Sequence, residues 1–206
     1  MTAGGAGEAG EAGGRKKLMT NKAVFLDKDG TLIEDVPYNV NPDLIRMTVG
    51  TLEGVRELHC AGYKLIVISN QSGVARGYFP ESALLVVEAR LRYMLAEIGV
   101  PLAGFYYCPH HPQGNVATYN ISCGCRKPEP GLIIHAAECL KIDLTNSWFI
   151  GDILNDVEAG CRAGCQTVLI DNGNETEWVI TQVRIPDLVA SDLTHAANLI
   201  CSTKNK

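Results

Sequence analysis

Residues 23–33 read AVFLDKDGTLI, an apolar run that passes directly into Asp27, Lys28 and Asp29. A short apolar run bounded by polar residues is typical of a strand buried on both faces of a parallel sheet. Ligands of open parallel sheets bind at the carboxyl ends of the strands. The stretch therefore predicts one strand over 23–26, with a functional loop directly after it.

The chain beyond this stretch alternates between helical and strand patterns. Apolar residues at 52, 55 and 58 recur at helical spacing over 50–61, and the segment KLIVIS at 64–69 has the pattern of a second buried strand. The further strands are predicted over 103–107, 148–150 and 167–170, and the further helices over 80–98, 130–140, 156–163 and 193–200. This alternation predicts a three-layer α/β fold, with helices on both faces of a parallel sheet.

Length and composition indicate one domain. A chain of 206 residues with 46% hydrophobic content is long enough for one α/β domain, which we place over 21–201. Residues 1–20, rich in Gly, Ala and Glu, are expected to form a disordered leader, and residues 202–206 a disordered tail. The predicted strands leave no room for a large cap domain.

Charge and hydropathy exclude several classes of partner. The net charge is −5, so a basic footprint for nucleic acid is absent. No stretch approaches the roughly 20 apolar residues of a membrane helix, and the polar start does not resemble a secretory signal. We therefore expect a cytoplasmic monomer that acts on a small molecule.

Polar motifs follow three of the predicted strands. Besides the first loop, SNQSG at 69–73 follows the second strand and GDILND at 151–156 follows the strand at 148–150. In a parallel sheet these ends lie side by side, where Asp27, Asp29 and Asp152 would offer the hard oxygen ligands that Mg²⁺ prefers. One carboxylate could serve as a nucleophile.

Other residue types in these motifs suit phosphoryl transfer. Ser69 and Asn70 can bind phosphate oxygens, and Lys127 would stabilise negative charge on the transferring group. Each motif alone has an ordinary reading as a turn, a helix cap or a surface lysine. Their order and placement together favour a catalytic site.

The motifs LDKDGTLI, SNQSG, RKPEPG and GDILND, in that order, resemble those of the haloacid dehalogenase (HAD) superfamily of phosphotransferases. The resemblance implies a Rossmann-like fold with Asp27 as the nucleophile and Asp29 as general acid and then base. It also implies that Ser69 and Lys127 hold the phosphoryl group. Asp27, Asp152 and the backbone carbonyl of Asp29 would bind Mg²⁺, and Asp156 would orient Lys127 or the metal waters.

A second cluster lies in the sequences CPHHP at 108–112 and CGCRK at 123–127. Three thiols and a histidine are typical of a closed structural Zn²⁺ site, which would stabilise the loop over about 108–125. A reduced thiol cluster or a disulfide remains an alternative for these residues. The other five cysteines are expected to be small buried residues, namely Cys60, Cys139, Cys161, Cys165 and Cys201.

The motif CPHHPQG at 108–114, followed by CGCRKPEPG at 123–131, resembles the corresponding motifs of the D-glycero-D-manno-heptose 1,7-bisphosphate 7-phosphatases of bacterial heptose and lipopolysaccharide synthesis. This resemblance implies that the zinc ligands are Cys108, His110, Cys123 and Cys125, and it assigns no role to His111. Arg126 would contact the second phosphate of the sugar. Residues 70–72 (Asn70, Gln71 and Ser72) would contact the substrate as well.

Two alternatives to a heptose bisphosphate phosphatase stay open at this point. The related histidinol-phosphate phosphatases carry a similar loop, usually with a shorter segment between the two ligand pairs. A zinc-stabilised binding protein that has kept the fold without catalysis is the other alternative. All four acidic and basic residues of the motifs are present, which argues against a non-catalytic protein. They are Asp27, Asp29, Lys127 and Asp152.

Overall fold

The computed structural model describes residues 21–203, so the expected leader and residues 204–206 lie outside the described part. The elements alternate along the chain as expected. The strands are β1 (Ala23–Leu26), β2 (Lys64–Asn70), β3 (Leu102–Cys108), β4 (Trp148–Gly151), β5 (Gln166–Ile170) and β6 (Leu188–Ala190). The α-helices are α1 (Thr51–Cys60), α2 (Ser72–Arg76), α3 (Ala83–Ala96), α4 (Gly131–Leu140), α5 (Leu154–Ala163) and α6 (Leu193–Thr203).

The six strands form one sheet in the order β3-β2-β1-β4-β5-β6, and every neighbouring pair is parallel. β1 lies between β2 and β4, with Phe25 beside Ile66 on one side and Phe149 on the other. The carboxyl ends of these three strands therefore meet at one edge of the sheet. The predicted parallel α/β architecture is confirmed.

Alternate residues of β1 enter two different cores. Val24 and Leu26 pack with residues of α1, α3 and α6 on one face, whereas Ala23 and Phe25 pack with residues of α4 and α5 on the other. All four β1 side chains are fully buried. This burial on both faces explains why the strand is an unbroken apolar run.

Two elements and some boundaries differ from the sequence prediction. α2 and β6 were not predicted, because five and three residues are too short for a periodic pattern. α3 begins at Ala83, after a turn in which the Ala83 N–H donates to the Pro80 carbonyl. α6 continues to Thr203, two residues beyond the expected end of the domain.

The expectation that five cysteines are buried was wrong for three of them. Cys60, Cys139 and Cys161 are exposed on helices, Cys165 is buried, and Cys201 is half-buried. The three exposed residues lie on the solvent side of α1, α4 and α5, where apolar character is not required.

None of the helices described between residues 21 and 203 combines the length and apolar character needed to cross a bilayer.

Candidate functional site

The candidate site lies at the carboxyl edge of the central strands. Asp27 follows β1 directly, and its N–H donates to the Ile150 carbonyl of β4 at 3.0 Å. Ser69 lies near the end of β2, and Asp152 follows the last residue of β4. The sheet order thus brings together the three strand ends that the sequence singled out.

Lys127 is buried at this edge between two carboxylates. Its Nζ forms ion pairs with Asp27 and, at 2.6 Å, with Asp156, and it donates to the Ile68 carbonyl at 3.1 Å. Burial lowers the pKa of Lys127, but the charges of Asp156 and Asp27 outweigh this effect and raise it well above its usual value. Lys127 is therefore a fixed positive charge and not a surface lysine.

The two strand-end aspartates titrate far from their ordinary range. Burial raises the pKa of Asp27 to about 7, even though Lys127 acts in the opposite direction. Burial, and then the charge of Asp27, raises the pKa of Asp152 to about 6. Shifts of this kind are frequent at functional sites because charged groups are gathered there away from water.

Asp152 is held in place by two hydrogen-bond donors. Thr31 Oγ1 donates to Oδ1 at 3.0 Å, and Asn174 Nδ2 donates to Oδ2 at 2.7 Å. Gly30 lies against the same carboxylate with a φ of +84°, and a Cβ there would collide with it. Only glycine fits both the space and the left-handed backbone at this position.

Three carboxylates of the site could hold a cation. One oxygen each of Asp27, Asp152 and Asp156 lies within 4.8 Å of the others, and all three side chains are buried. Among these three, only the Asp27 and Asp156 carboxylates pair with Lys127. Buried carboxylates this close repel one another, so the donor set fits a hard divalent cation such as Mg²⁺.

Asp29 is turned towards a different set of groups. Its Oδ1 accepts from the buried Lys28 Nζ at 2.6 Å, and its Oδ2 accepts from Gln71 Nε2 at 3.0 Å. Gln71 Nε2 also donates to Ser69 Oγ at 2.7 Å. The Asp29 carboxylate is partly exposed, so it can reach a substrate while Gln71 and Lys28 orient it.

Asn70 connects the second motif to the third. Its Nδ2 donates to the Lys127 carbonyl at 3.1 Å, and its Oδ1 accepts the Lys127 N–H at 3.0 Å. The amide therefore holds the backbone of Lys127 from both sides. The structure gives Asn70 this positioning role, and its contact with substrate stays a prediction.

The four residues that the family resemblance implies as metal ligands come together in one Cys/His cluster. Cys123 Sγ and Cys108 Sγ each lie 3.1 Å from Cys125 Sγ, and His110 Nδ1 lies 3.4 Å from that same sulfur. The thiols are free, so they do not form a disulfide. Burial acts to raise the pKa of Cys123, but hydrogen bonds from Cys125 and Cys108 lower it to about 7. These four residues could hold one metal ion.

The segment over residues 108–125 is called the zinc loop below, and it also contacts α2. The N–H groups of Asn115 and Val116 both donate to the Ala75 carbonyl, at 2.7 and 2.9 Å. Tyr119 Oη donates to Glu81 Oε2 at 2.6 Å. The loop is therefore fixed at its middle as well as at the Cys/His cluster.

Two clefts open onto the site. The first, of about 290 Å³, is lined by residues that include Asp29, Tyr38 and Gln71 together with Ser72. The second, of about 220 Å³, is lined by residues that include His111, Arg126 and Lys127. Burial, and then the charges of Arg126 and Arg76, lower the pKa of His111.

Sequence reasoning missed several residues of the site. Thr31 lies inside the first motif, but its bond to Asp152 depends on the pairing of β1 with β4. Asn172 donates to the Gly30 carbonyl at 2.8 Å, and Asn174 binds Asp152. Both asparagines follow β5, so the rule about strand ends would have placed them near this edge, although it does not give their hydrogen-bond partners.

Comparisons with known proteins point to one family of phosphatases. A family described as HAD-hydrolase-like matches residues 124–196. The D-glycero-beta-D-manno-heptose-1,7-bisphosphate 7-phosphatase of Haemophilus influenzae is 44% identical over 154 residues, which cover 74% of this chain and 83% of the relative. The enzyme of the same name from Escherichia coli K12 is 39% identical over 170 residues, covering 78% and 89%.

A solved structure is similar over nearly its whole length. It is the D,D-heptose 1,7-bisphosphate phosphatase of B. bronchiseptica in complex with magnesium and phosphate. Its TM-score is 0.71 at 28% identity, and the match covers 88% of this chain and 99% of that one.

Proposed function

Since this chain belongs to the D-glycero-beta-D-manno-heptose-1,7-bisphosphate 7-phosphatase family of HAD-like hydrolases, we propose that it removes the 7-phosphate of that sugar bisphosphate. The observation that carries the proposal is the strand-end cluster. Asp27 and Asp152 lie buried beside Lys127 at the edge where ligands of parallel sheets bind.

In the first step, Asp27 acts as the nucleophile. A carboxylate oxygen of Asp27 forms a bond to phosphorus, while the bond from phosphorus to the sugar oxygen breaks. Asp29 gives its proton to that leaving oxygen, which takes the electron pair of the broken bond. Lys127 stabilises the charge on the phosphoryl oxygens, with Ser69 as a further donor beside it.

In the second step, Asp29 takes a proton from water. The water oxygen attacks phosphorus, and the bond between phosphorus and Asp27 breaks, which regenerates the carboxylate and releases inorganic phosphate. Asp27 and Asp152 would hold Mg²⁺ with the Asp29 carbonyl, and Asp156 would fix Lys127. When bound, Mg²⁺ supplies positive charge against the phosphoryl oxygens.

The Cys/His cluster would hold Zn²⁺ as a structural ion. Its ligands would be Cys108, His110, Cys123 and Cys125, whose proximity supports this proposal. Four protein ligands fill a tetrahedral site and leave no position for substrate. Zinc would therefore order the zinc loop and the neighbouring Arg126, and it would take no part in phosphoryl transfer.

Phosphate release from three phosphoesters tests the proposed function. The substrates are D-glycero-D-manno-heptose 1,7-bisphosphate, D-glycero-D-manno-heptose 7-phosphate and histidinol phosphate, each with Mg²⁺ and with a chelator. We expect fast, Mg²⁺-dependent release from the heptose bisphosphate. A higher kcat/KM for histidinol phosphate would overturn the substrate assignment, and no turnover of any ester would overturn the proposal of an enzyme.

A further inference from the structure

The loop that joins β5 to β6, residues 171–187, is called the β5 loop below, and its first part reaches the candidate site. Asn174 Nδ2 donates to Asp152 Oδ2 at 2.7 Å, and Glu175 Oε2 accepts the Leu154 N–H at 2.6 Å. Leu154 is the first residue of α5, and the first N–H of a helix has no acceptor within that helix. The β5 loop therefore supplies a partner to Asp152 and another to the helix that follows it.

Burial does little to hold the middle of the β5 loop against the protein. Residues 176–182 are all exposed, and Trp178, Val179 and Ile180 are each more than half exposed. A cleft of about 260 Å³ is lined both by Asn155 of α5 and by residues of the loop. Segments that bury little apolar surface open at low cost in free energy. The position of the loop therefore depends on its polar contacts.

Arg184 makes the polar contacts near the far end of the β5 loop. Its Nε donates to Glu158 Oε2 at 2.5 Å, and its Nη2 donates to Asn155 Oδ1 at 2.9 Å. Glu158 and Asn155 both belong to α5, and Glu158 is buried. A hydrogen bond between two charged groups is stronger than one between neutral groups. Arg184 therefore attaches the loop firmly to α5.

We propose that Arg184 is a positioning residue for the magnesium site, because it closes the β5 loop on α5 and so keeps Asn174 on Asp152. Within residues 21–203, the ion pair and hydrogen bonds of the Arg184 side chain go to α5 alone. Its effect on the site therefore passes through the loop. Groups that orient a metal ligand contribute to metal affinity. The inference rests on the proposed role of Asp152 in binding Mg²⁺.

Arg162 provides a matched control on the same carboxylate. Its Nη2 pairs with Glu158 Oε1 at 2.5 Å, and its Nη1 pairs with Glu129 Oε1 at 2.9 Å. Arg162 lies on α5 itself, so its loss does not release the β5 loop. Arg162→Ala and Arg184→Ala remove the same charge, and each leaves Glu158 with one arginine.

Amide hydrogen exchange of the metal-free protein, followed by NMR, tests whether Arg184 holds the loop. Because the Leu154 N–H donates to Glu175, its exchange reports directly on docking of the loop. In Arg184→Ala we expect this exchange to be about ten- to a hundredfold faster, as expected for loss of a hydrogen bond between charged groups. Amides in the second half of α5 should keep their wild-type rates.

Two further variants complete the exchange experiment. Arg162→Ala should leave the exchange of the Leu154 N–H unchanged, and Arg184→Lys should recover part of its protection. Faster exchange along the whole of α5 in Arg184→Ala would overturn the inference, because it would show that Arg184 stabilises the helix and not the loop. Wild-type exchange of Leu154 in Arg184→Ala would overturn it as well.

The unfolding midpoint as a function of Mg²⁺ concentration tests the effect on the metal site. Arg184→Ala and Asn174→Ala should each raise the Kd for Mg²⁺ about tenfold. The double variant should lose no more than either single variant, because both act on one bond to Asp152. Arg162→Ala should keep the wild-type Kd. An unchanged Kd in Arg184→Ala, or losses that add in the double variant, would overturn the inference.

The same measurement separates this inference from the proposed function, because it needs no turnover. If Arg184→Ala weakens Mg²⁺ binding as expected but no phosphoester is hydrolysed, the proposed function fails and the inference stands. If Asp152→Asn abolishes Mg²⁺ binding and Arg184→Ala leaves it intact, only the inference fails. Unchanged Mg²⁺ binding in Asp152→Asn would overturn both the proposed ligand and the inference.

Discussion

Lys127 balances two carboxylates with a single charge, and this imbalance defines the site at the scale of residues. Asp27 and Asp156 both pair with it, and Asp152 lies within reach of the same oxygens. The buried cluster therefore has a net negative charge when its acids are ionised. A phosphate dianion would be repelled unless a cation binds as well.

Removal of the proposed nucleophile, Asp27, should abolish turnover without unfolding the protein. Asp27→Asn keeps the size of the side chain, and Lys127 keeps its ion pair with Asp156. We expect the rate of phosphate release to fall by at least about 10⁴-fold, with far-ultraviolet circular dichroism unchanged. Asp43→Asn, at an exposed position, should retain full activity. Retained activity in the Asp27 variant would refute its role as nucleophile.

Binding of Mg²⁺ should depend on pH. Burial raises the pKa of Asp27 to about 7 and that of Asp152 to about 6, so both acids are protonated at pH 5. Without metal, these two acids stabilise the folded state at low pH, where they are protonated. Their contribution to the free energy of unfolding is lost as the pH rises from about 4 to about 7. Mg²⁺ competes with protons for these carboxylates, and its positive charge compensates their negative charge once they are ionised.

The measurement is the unfolding midpoint with and without Mg²⁺ at pH 5 and at pH 8. We expect little stabilisation at pH 5 and about 2.7 kcal/mol at pH 8 when the concentration of Mg²⁺ is a hundred times its Kd. Asp152→Asn should remove the gain at pH 8. Equal stabilisation at both pH values would show that these carboxylates do not bind the ion.

Much of the site could be predicted from the sequence because the sheet is parallel. Asp27, Ser69 and Asp152 each follow or end an apolar strand, and the strand order places these ends together. The bond of Asn174 to Asp152 could not be predicted in the same way. It depends on how a loop after β5 folds back across the edge, which no local pattern encodes.

The zinc loop shows what can be predicted at the scale of elements. Its four candidate ligands, which the residue types and the family resemblance indicated, lie within 4.8 Å of one another. The docking of its middle on α2 was not foreseeable, because it uses backbone N–H groups that any residue type offers. The helix that receives it is too short for a periodic pattern.

Loss of one proposed zinc ligand should affect stability more than chemistry. Cys123→Ser replaces a thiol at the cluster, so we expect a lower zinc content and a lower unfolding midpoint. The kcat with the heptose bisphosphate should change less than the stability, because Asp27 directly follows β1 and Lys127 is also held by Asn70 and Asp156. Cys60→Ser, at an exposed cysteine outside the cluster, is the matched control. Full zinc occupancy in the Cys123 variant would remove this residue from the ligand set.

The whole molecule is organised around β1, whose side chains enter both cores. Phe25 is fully buried, lies between Ile66 and Phe149 in the sheet, and packs against α4 and α5. Phe25→Ala should reduce the free energy of unfolding by about 3–5 kcal/mol, because it removes buried surface and leaves a cavity. Denaturant titration measures this change.

Val189→Ala is the control for this core substitution. Val189 lies on the edge strand β6 and is 52% exposed, so its truncation should change the free energy of unfolding by less than about 0.5 kcal/mol. A similar cost at both positions would show that β1 is not the centre of the packing.

The central place of β1 also has a consequence for synthesis of the protein. β1 is made first, yet one of its two neighbours, β4, begins only at Trp148. At about 5–20 residues per second, a ribosome needs several seconds to pass from the end of β2 to β4. During that time the nascent chain exposes a bare apolar strand edge, on which other unfinished chains could pair. Chaperone cover of the amino-terminal third would protect the chain until β4 emerges.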